Sequence, residues 1–190
     1  MKKIHSLLLV TCLLPLLSTL AQENEDKWWD HELKFDTLPP EQDPPWAFRG
    51  RGGLPVLEND KLILTTADEA QSIAYVIDEN AAHEVLTVEF RVKAKENHSQ
   101  FAGQFNIAMN GKVYVFPITN TDELTYRAVL DNGTMTLYRE GDSPVTVKGI
   151  PDVRSKMLGQ LLFGDASSSA VGTTEWSRLR WTWEKAVPAP

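Results

Sequence analysis

The side chains that could carry out acid–base or metal chemistry are scattered along this chain. His31, His83 and His98 lie far apart, and neither His31 nor His83 begins the His-Glu-x-x-His pattern that places two zinc ligands on one helical face. Ser177 has no glycine-flanked strand-to-helix turn that would expose it as a nucleophile. These residues therefore predict neither a zinc protease nor a serine hydrolase.

Non-covalent recognition is a better match to the polar residues in the middle of the chain. Arginine side chains can form paired hydrogen bonds to a ligand, and a tyrosine ring can stack on it. If the strands that carry them are neighbours, the outward positions form one polar surface. Its members are Glu89, Arg91, Lys93, Gln104, Asn106, Arg127, Thr136 and Tyr138, of which Arg91, Gln104, Asn106, Arg127 and Tyr138 are the predicted ligand-binding residues. The alternative is a solvated sheet face without a ligand, which is common in antiparallel sheets.

An alternation of apolar and polar residues predicts that these positions lie on strands. From residue 88 to residue 94, apolar even-numbered positions alternate with charged odd-numbered positions. Asn110-Gly111 and Asn132-Gly133 are signals for tight hairpin turns. Short strands separated by Gly, Asn and Asp predict an all-β sandwich or barrel.

The first 21 residues predict a secretory signal peptide. Lys2 and Lys3 precede a mostly apolar run at residues 4–20, and Ala21 supplies a small residue at the expected cleavage site. Pro15 interrupts the run, and a membrane-spanning helix needs about 20 apolar residues, so a cleaved signal is favoured over an anchor. We expect a secreted or periplasmic protein, of bacterial character, without a membrane span after cleavage.

Cleavage would remove Lys2, Lys3 and the only cysteine, Cys12, and would change the formal net charge from −7 to −9. The remaining 169 residues would have no disulfide, but they are enough for one domain with its own apolar core. An acidic surface repels nucleic acid and anionic lipid, so nucleic-acid binding is excluded as a function.

Residues 22–45 are acidic and rich in proline, and they predict a leader ahead of a single domain at residues 46–190. Trp28, Trp29 and Trp46 lie in or next to this leader. We expect them to pack over the open end of the core, because large aromatic side chains are usually mostly buried. The alternative is that they stack on sugars.

Three stretches of the chain follow one another in a characteristic order. They are residues 87–92, residues 125–130 with the return at Leu137-Tyr138, and Phe163-Gly164-Asp165 followed by Glu175-Trp176 and Trp181. In this order they resemble concanavalin A-like lectin/glucanase (laminin G-like) domains of secreted bacterial proteins. The resemblance covers about residues 46–183 and implies a two-sheet antiparallel jelly-roll β-sandwich. We expect Trp176 and Trp181 to pack between its sheets.

The resemblance also implies a partner and raises the question of a metal. Such domains bind a glycan or glycoconjugate on a sheet face or on rim loops, and many laminin G-like relatives bind calcium. Asp165, followed by Ser167–Ser169, is the candidate calcium ligand; the alternative is that its carboxylate accepts backbone N–H bonds in a turn. Calcium needs six to eight oxygen ligands, so we expect no bound cofactor.

Enzymes of this fold provide patterns against which the carboxylates can be judged. Glucanases use Glu-x-Asp-x-x-Glu, with two carboxylates about 5–5.5 Å apart. Glu84 and Glu89 are five positions apart without an intervening Asp, and Glu140 and Asp142 have no third acid. Alginate lyases use a Gln-x-His pair, and here Asn106 stands in place of the histidine. The expected function is therefore non-catalytic.

The sequence thus predicts a secreted, non-catalytic β-sandwich that binds carbohydrate or a glycoconjugate. Two alternatives belong to other classes of protein. One is a hydrolase of the same fold, similar to the 3-keto-disaccharide hydrolase family, which need not carry the glucanase pattern. The other is a structural or adhesive envelope protein, in which the proline-rich leader would act as a spacer.

Overall fold

The computed structural model describes residues 27–39, 55–66, 84–152, 159–164 and 170–183 with their side chains, and residues 47–50 and 71–78 by their backbone. Within these ranges the regular structure consists of β-strands and includes no α-helix. The strands are β1 (His31–Leu33), β2 (Ala47–Gly50), β3 (Val56–Glu58), β4 (Lys61–Thr65), β5 (Gln71–Asp78), β6 (Val85–Asn97), β7 (Gly103–Met109), β8 (Lys112–Ile118), β9 (Leu124–Asp131), β10 (Thr134–Arg139), β11 (Val145–Val147), β12 (Ile150–Pro151), β13 (Gly159–Gly164) and β14 (Gly172–Trp183).

The strands form two antiparallel sheets, which confirms the predicted two-sheet β-sandwich. The eight-stranded sheet has the order β11-β10-β9-β6-β14-β4-β3, and β1 pairs with the second half of β14 beyond the end of β4. The six-stranded sheet has the order β12-β8-β7-β13-β5-β2. The chain passes from the eight-stranded to the six-stranded sheet after β1, β4, β6 and β11, as in a jelly roll.

The long strands β6 and β14 form the middle of the eight-stranded sheet. Because β6 alternates strictly, Val88 and Phe90 point into the core while Glu89 and Arg91 point outward. In β14 the core residues Trp176 and Leu179 are three positions apart, which strict alternation would not allow. A bulge between Trp176 and Arg178 adds one residue and returns the apolar positions to the core face.

Aromatic rings from both sheets meet in the core. Phe90 of the eight-stranded sheet stacks on Phe105 of the six-stranded sheet with 4.4 Å between ring centroids. Trp176 contacts Phe163 across the same interface at 5.2 Å and is fully buried. Trp181 is also buried in this core. The predicted packing of the two tryptophans between the sheets is therefore confirmed, and large rings in such contacts supply much of the apolar burial.

Tight turns set the register of three hairpins. Asn110-Gly111 and Asn132-Gly133 all have positive φ angles, between 46° and 78°, as the sequence predicts for type I′-like turns. A third turn, Asn59-Asp60 between β3 and β4, has φ angles of 53° and 58°. The sequence analysis missed it, although both residue types tolerate the left-handed region.

Part of the segment expected to be a leader packs on the sandwich. β1 lies within residues 22–45, its residues pair with Leu179 to Trp181 of β14, and Leu33 and Phe35 belong to the core. The predicted signal at residues 1–21, Trp46 and the Asp165 loop lie outside the described residues. Of the residues that are described, none forms a helix long and apolar enough to cross a membrane.

Candidate functional site

Among the residues that the structure describes, most of the ion-paired side chains lie on the outer face of the eight-stranded sheet. Antiparallel pairing aligns outward residues of neighbouring strands in rows, since directly opposite residues share a face. One row contains Glu89, Arg127 and Arg180, which we call the buried triad. The adjacent rows contain a more accessible group that we call the charged face: Lys61, Arg91, Lys93, Glu123, Glu175 and Arg178.

The buried triad is a carboxylate held between two guanidinium groups. Arg127 donates to Oε2 of Glu89 from Nε at 3.0 Å and from Nη2 at 2.5 Å. Arg180 donates to Oε1 from Nε at 2.8 Å and lies at 2.7 Å through Nη2. The three side chains are only 2–3% exposed. Buried charges require such pairing, because removing them from water costs several kcal/mol per ion.

Trp29 covers this triad from the outside. The centroid of its ring is 4.4 Å from the guanidinium carbon of Arg180 and 5.5 Å from that of Arg127, which are distances of cation–π contacts. The next residue, Asp30, accepts a hydrogen bond of 2.5 Å from the Thr182 hydroxyl on β14. The prediction that Trp29 packs over the open end of the core is therefore wrong; it packs on the outer face of the sheet, over charged side chains.

On the charged face, two carboxylates bridge three cations. Glu175 Oε1 lies 2.6 Å from the ammonium of Lys61 and 3.1 Å from that of Lys93. Glu123 Oε1 lies 3.3 Å from the same Lys61 ammonium, and its Oε2 lies 2.9 Å from Nε of Arg91. The Arg91 side chain is still 47% exposed, so this network is open to solvent.

The network holds both carboxylates in the ionised form. Partial burial opposes ionisation of Glu123, but the neighbouring Ser177 hydroxyl and the charges of Lys61 and Arg91 lower its pKa below the ordinary 4.5. Burial likewise opposes ionisation of Glu175, and Lys61 and Lys93 lower its pKa. The hydrogen bond from Lys61 to Glu175 raises the pKa of Lys61. Cations and carboxylates on this face thus stabilise each other's charged states.

The predicted ligand-binding residues do not form one surface. Arg91 lies on the charged face, Arg127 lies in the buried triad beneath Trp29, and Tyr138 lies directly opposite Arg127 on β10. Gln104 and Asn106 lie on β7 in the other sheet, where they are buried. The assumption that β7 neighbours β6 is wrong, because the chain crosses to the six-stranded sheet between them. Whether any of the five residues binds a ligand stays a prediction.

Several residues of the site were missed by the sequence analysis. Glu123 lies just before β9, outside any alternating pattern, and Lys61 is far away in sequence. For β14, the outward positions were obscured by the bulge at Ser177, which breaks the alternation between Glu175 and Arg178. The outward residues of β14 could have been found by looking for two stretches of apolar–polar alternation joined by one extra residue.

A cleft of about 380 Å³ opens between the edges of the two sheets. Its walls are mainly apolar, and Tyr126, Arg139 and Asp142 are its main polar side chains. The Tyr126 hydroxyl donates to Asn120 Oδ1 at 2.5 Å, and Arg139 pairs with Asp142. Burial raises the pKa of Tyr126. The apolar lining residues are Val115, Phe116, Pro117, Leu137, Val145 and Val147.

A metal site is not evident in the part of the chain that the structure describes. There, no three His, Cys, Asp or Glu side chains come together in a way that could hold a metal ion. Asp165, the candidate calcium ligand, lies outside that part, and its role stays a prediction.

Solved structures share this arrangement of sheets, although no family model and no curated protein matches the sequence. The binding domain of botulinum neurotoxin serotype D aligns with a TM-score of 0.55 and 12% identity over 88% of this chain and 50% of that one, so this chain spans about half its length. An uncharacterized protein from Mycobacterium paratuberculosis aligns with a TM-score of 0.51 and 11% identity over 80% and 99% of the two chains. A carbohydrate recognition domain of Emp46p aligns with a TM-score of 0.46 and 12% identity over 80% and 94%. Identities this low show the fold alone, which is a two-sheet antiparallel jelly-roll β-sandwich.

Proposed function

We propose that this protein is a secreted, non-catalytic carbohydrate-binding domain and that it binds glycan on the charged face. The observation that carries the proposal is the network of Arg91, Glu123, Lys61, Glu175 and Lys93, in which ion-pair distances of 2.6–3.3 Å hold donors and acceptors in fixed positions on a partly exposed surface. Secretion is supported by the basic, then apolar, character of residues 1–21.

A network of this kind matches the chemistry of sugars. Neighbouring hydroxyl groups of a sugar can accept hydrogen bonds from a guanidinium or an ammonium and donate hydrogen bonds to a carboxylate. Side chains already held by one another lose less conformational freedom when the ligand arrives, which favours binding. Trp29 lies over the neighbouring buried triad and is partly exposed, so its ring edge is available to contact a sugar bound beside the network.

The charged states of the carboxylates favour binding over hydrolysis. Glu123 and Glu175 flank the same ammonium group, and two neighbouring carboxylates are the machinery of many glycoside hydrolases. Such enzymes need one of the two to be protonated, with a raised pKa, so that it can act as the general acid. Here both pKa values are lowered, so neither carboxyl is suited to donate a proton.

A glycan array, read in the presence of calcium and again with a chelator, tests the proposal. We expect the purified protein to bind at least one class of glycan. Arg91→Gln should weaken that binding about tenfold or more, since hydrogen bonds to a charged group contribute about 1.5–3 kcal/mol. A difference in binding between the calcium and the chelator conditions would point to the Asp165 loop.

The matched control is Lys95→Gln. Lys95 also lies on β6, is 45% exposed and pairs with Glu58 at 3.3 Å, outside the charged face. Lys95→Gln removes one positive charge, as Arg91→Gln does. It should leave the glycan affinity within about twofold of the wild-type value, as expected for a screened surface charge. Absence of binding on the whole array, or full affinity in Arg91→Gln, would contradict the proposal.

A further inference from the structure

Two arginines of the charged face lie directly opposite each other. Arg91 on β6 and Arg178 on β14 are register partners, and both point outward from the eight-stranded sheet. Directly opposite residues have Cβ atoms about 4.5–5.5 Å apart, and like charges at such positions destabilise a sheet. The two side chains are 47% and 37% exposed. An exposed pair of like charges is therefore maintained at the centre of this face.

The carboxylates described around this pair do not balance its charge. The charged face contains four cations, Lys61, Arg91, Lys93 and Arg178, against the two carboxylates Glu123 and Glu175. The carboxylate beside Arg178 is that of Glu32, at 3.9 Å and 48% exposed. Contact at that distance is weaker than the other ion pairs of the face. With Glu32 included, four cations stand against three carboxylates, so a surplus of one positive charge occurs here on a chain whose formal net charge is −7.

The neighbouring row does not supply the missing negative charge. The carboxylate of Glu89 is one row away, but its two oxygens already accept hydrogen bonds from Arg127 and Arg180. The triad itself contains two cations and one carboxylate, beneath Trp29. The arginine pair is therefore bordered on this side by a carboxylate that two guanidinium groups already engage.

We propose that the glycan bound by the charged face is acidic and that its oxyanion lies over Arg91 and Arg178. The inference rests on the proposed function and adds the class of ligand. Guanidinium groups present planar donor pairs that match the two oxygens of a carboxylate or a sulfate. Placing such a group between the two arginines would replace their repulsion by attraction. A neutral sugar gains nothing comparable.

The experiment compares ligands that differ only in charge. Affinities are measured by calorimetry for an oligogalacturonate, for the same oligosaccharide fully methyl-esterified, and for a sulfated galactan oligosaccharide with its desulfated form. We expect an acidic form to bind about tenfold more tightly than its neutral counterpart at low ionic strength. Because exposed charges are screened by salt, the preference should shrink as the salt concentration rises.

Arg178→Gln separates this inference from the proposed function. The side chain is exposed enough for the variant to fold, which circular dichroism checks. We expect it to reduce the ratio of acidic-form to neutral-form affinity to about threefold or less, and Lys95→Gln to leave that ratio unchanged.

If the protein prefers the uronate or the sulfated sugar over its neutral counterpart, and Arg178→Gln loses that preference, the inference is supported and the acidic group is identified. Equal affinity for acidic and neutral forms would overturn it and leave the proposed function standing. Binding to none of the four oligosaccharides and to no glycan on the array would overturn both.

Discussion

Replacement of Glu89 by Gln is the sharpest test of the charge balance beneath Trp29. Glu89 is 2% exposed and accepts hydrogen bonds from Arg127 and Arg180, which are 3% exposed. Glutamine keeps the shape of the side chain but removes the negative charge that lies between two buried guanidinium groups. Breaking a buried ion pair by removal of one partner costs about 3–5 kcal/mol. For a chain of this length, each kcal/mol shifts Tm by about 2–4 °C, so we expect a decrease of about 6–20 °C.

The assay is urea unfolding at pH 7, followed by tryptophan fluorescence, with Glu58→Gln as the matched control. Glu58 makes one ion pair, with Lys95 at 3.3 Å, and is 52% exposed. Its replacement should cost less than about 1 kcal/mol, as is usual for surface pairs. The midpoint should fall in Glu89→Gln without a change in m. If the two variants were equally stable, the triad would not be the buried, mutually dependent group described above.

Two further predictions concern acid stability and backbone crowding. Because the folded pKa values of Glu123 and Glu175 are lowered, their contribution to stability is present above the ordinary value of 4.5 and is lost as pH falls through the folded values. Lys61→Gln should therefore be less stable than the wild type at pH 7 in urea titrations, and the difference should shrink as pH falls below 4.5 and the two carboxylates become protonated. A difference that stays constant into acid would contradict the ion-pair assignment. Gly172→Ala should destabilise by several kcal/mol, roughly as overpacking does, because the new Cβ would lie 2.3 Å from the backbone oxygen of residue 96. Gly133 has a φ of 78° and open space around it, so Gly133→Ala should cost only about 1–2 kcal/mol. Thermal unfolding compares the two variants. If Gly133→Ala were the less stable one, the packing at the start of β14 would be contradicted.

Local patterns in the sequence were enough to predict the strands and an all-β sandwich or barrel, and the resemblance to jelly-roll domains chose the two-sheet sandwich. The alternation from Val88 to Ala94 and the turns at Asn110-Gly111 and Asn132-Gly133 are properties of neighbouring residues, and the structure has them as predicted. The two core tryptophans were also predicted, as residues packed between the sheets of the fold that the resemblance implies, and both lie in the core.

Long-range pairing could not be predicted in the same way. β7 follows β6 in sequence but lies in the other sheet, so Gln104 and Asn106 are separated from Arg91. The outer-face contacts come from distant segments: Arg180 on the last strand donates to Glu89, Trp29 from the expected leader covers Arg127, and Glu123 from an irregular stretch pairs with Arg91. No local period encodes such contacts, because they depend on sheet order and on the bulge in β14.

The most direct test of the central claim is an amide-shift map of glycan binding. The ¹⁵N-labelled protein would be titrated with the glycan that binds most tightly on the array. We predict that the largest changes in amide chemical shift occur in β4, at Arg91 and Lys93 of β6, at the bulge of β14 and at Glu123. The amide shifts of β8 and β11 should not change. Shifts confined to the cleft between β8 and β11, or spread over the six-stranded sheet, would contradict the claim that the charged face is the binding site.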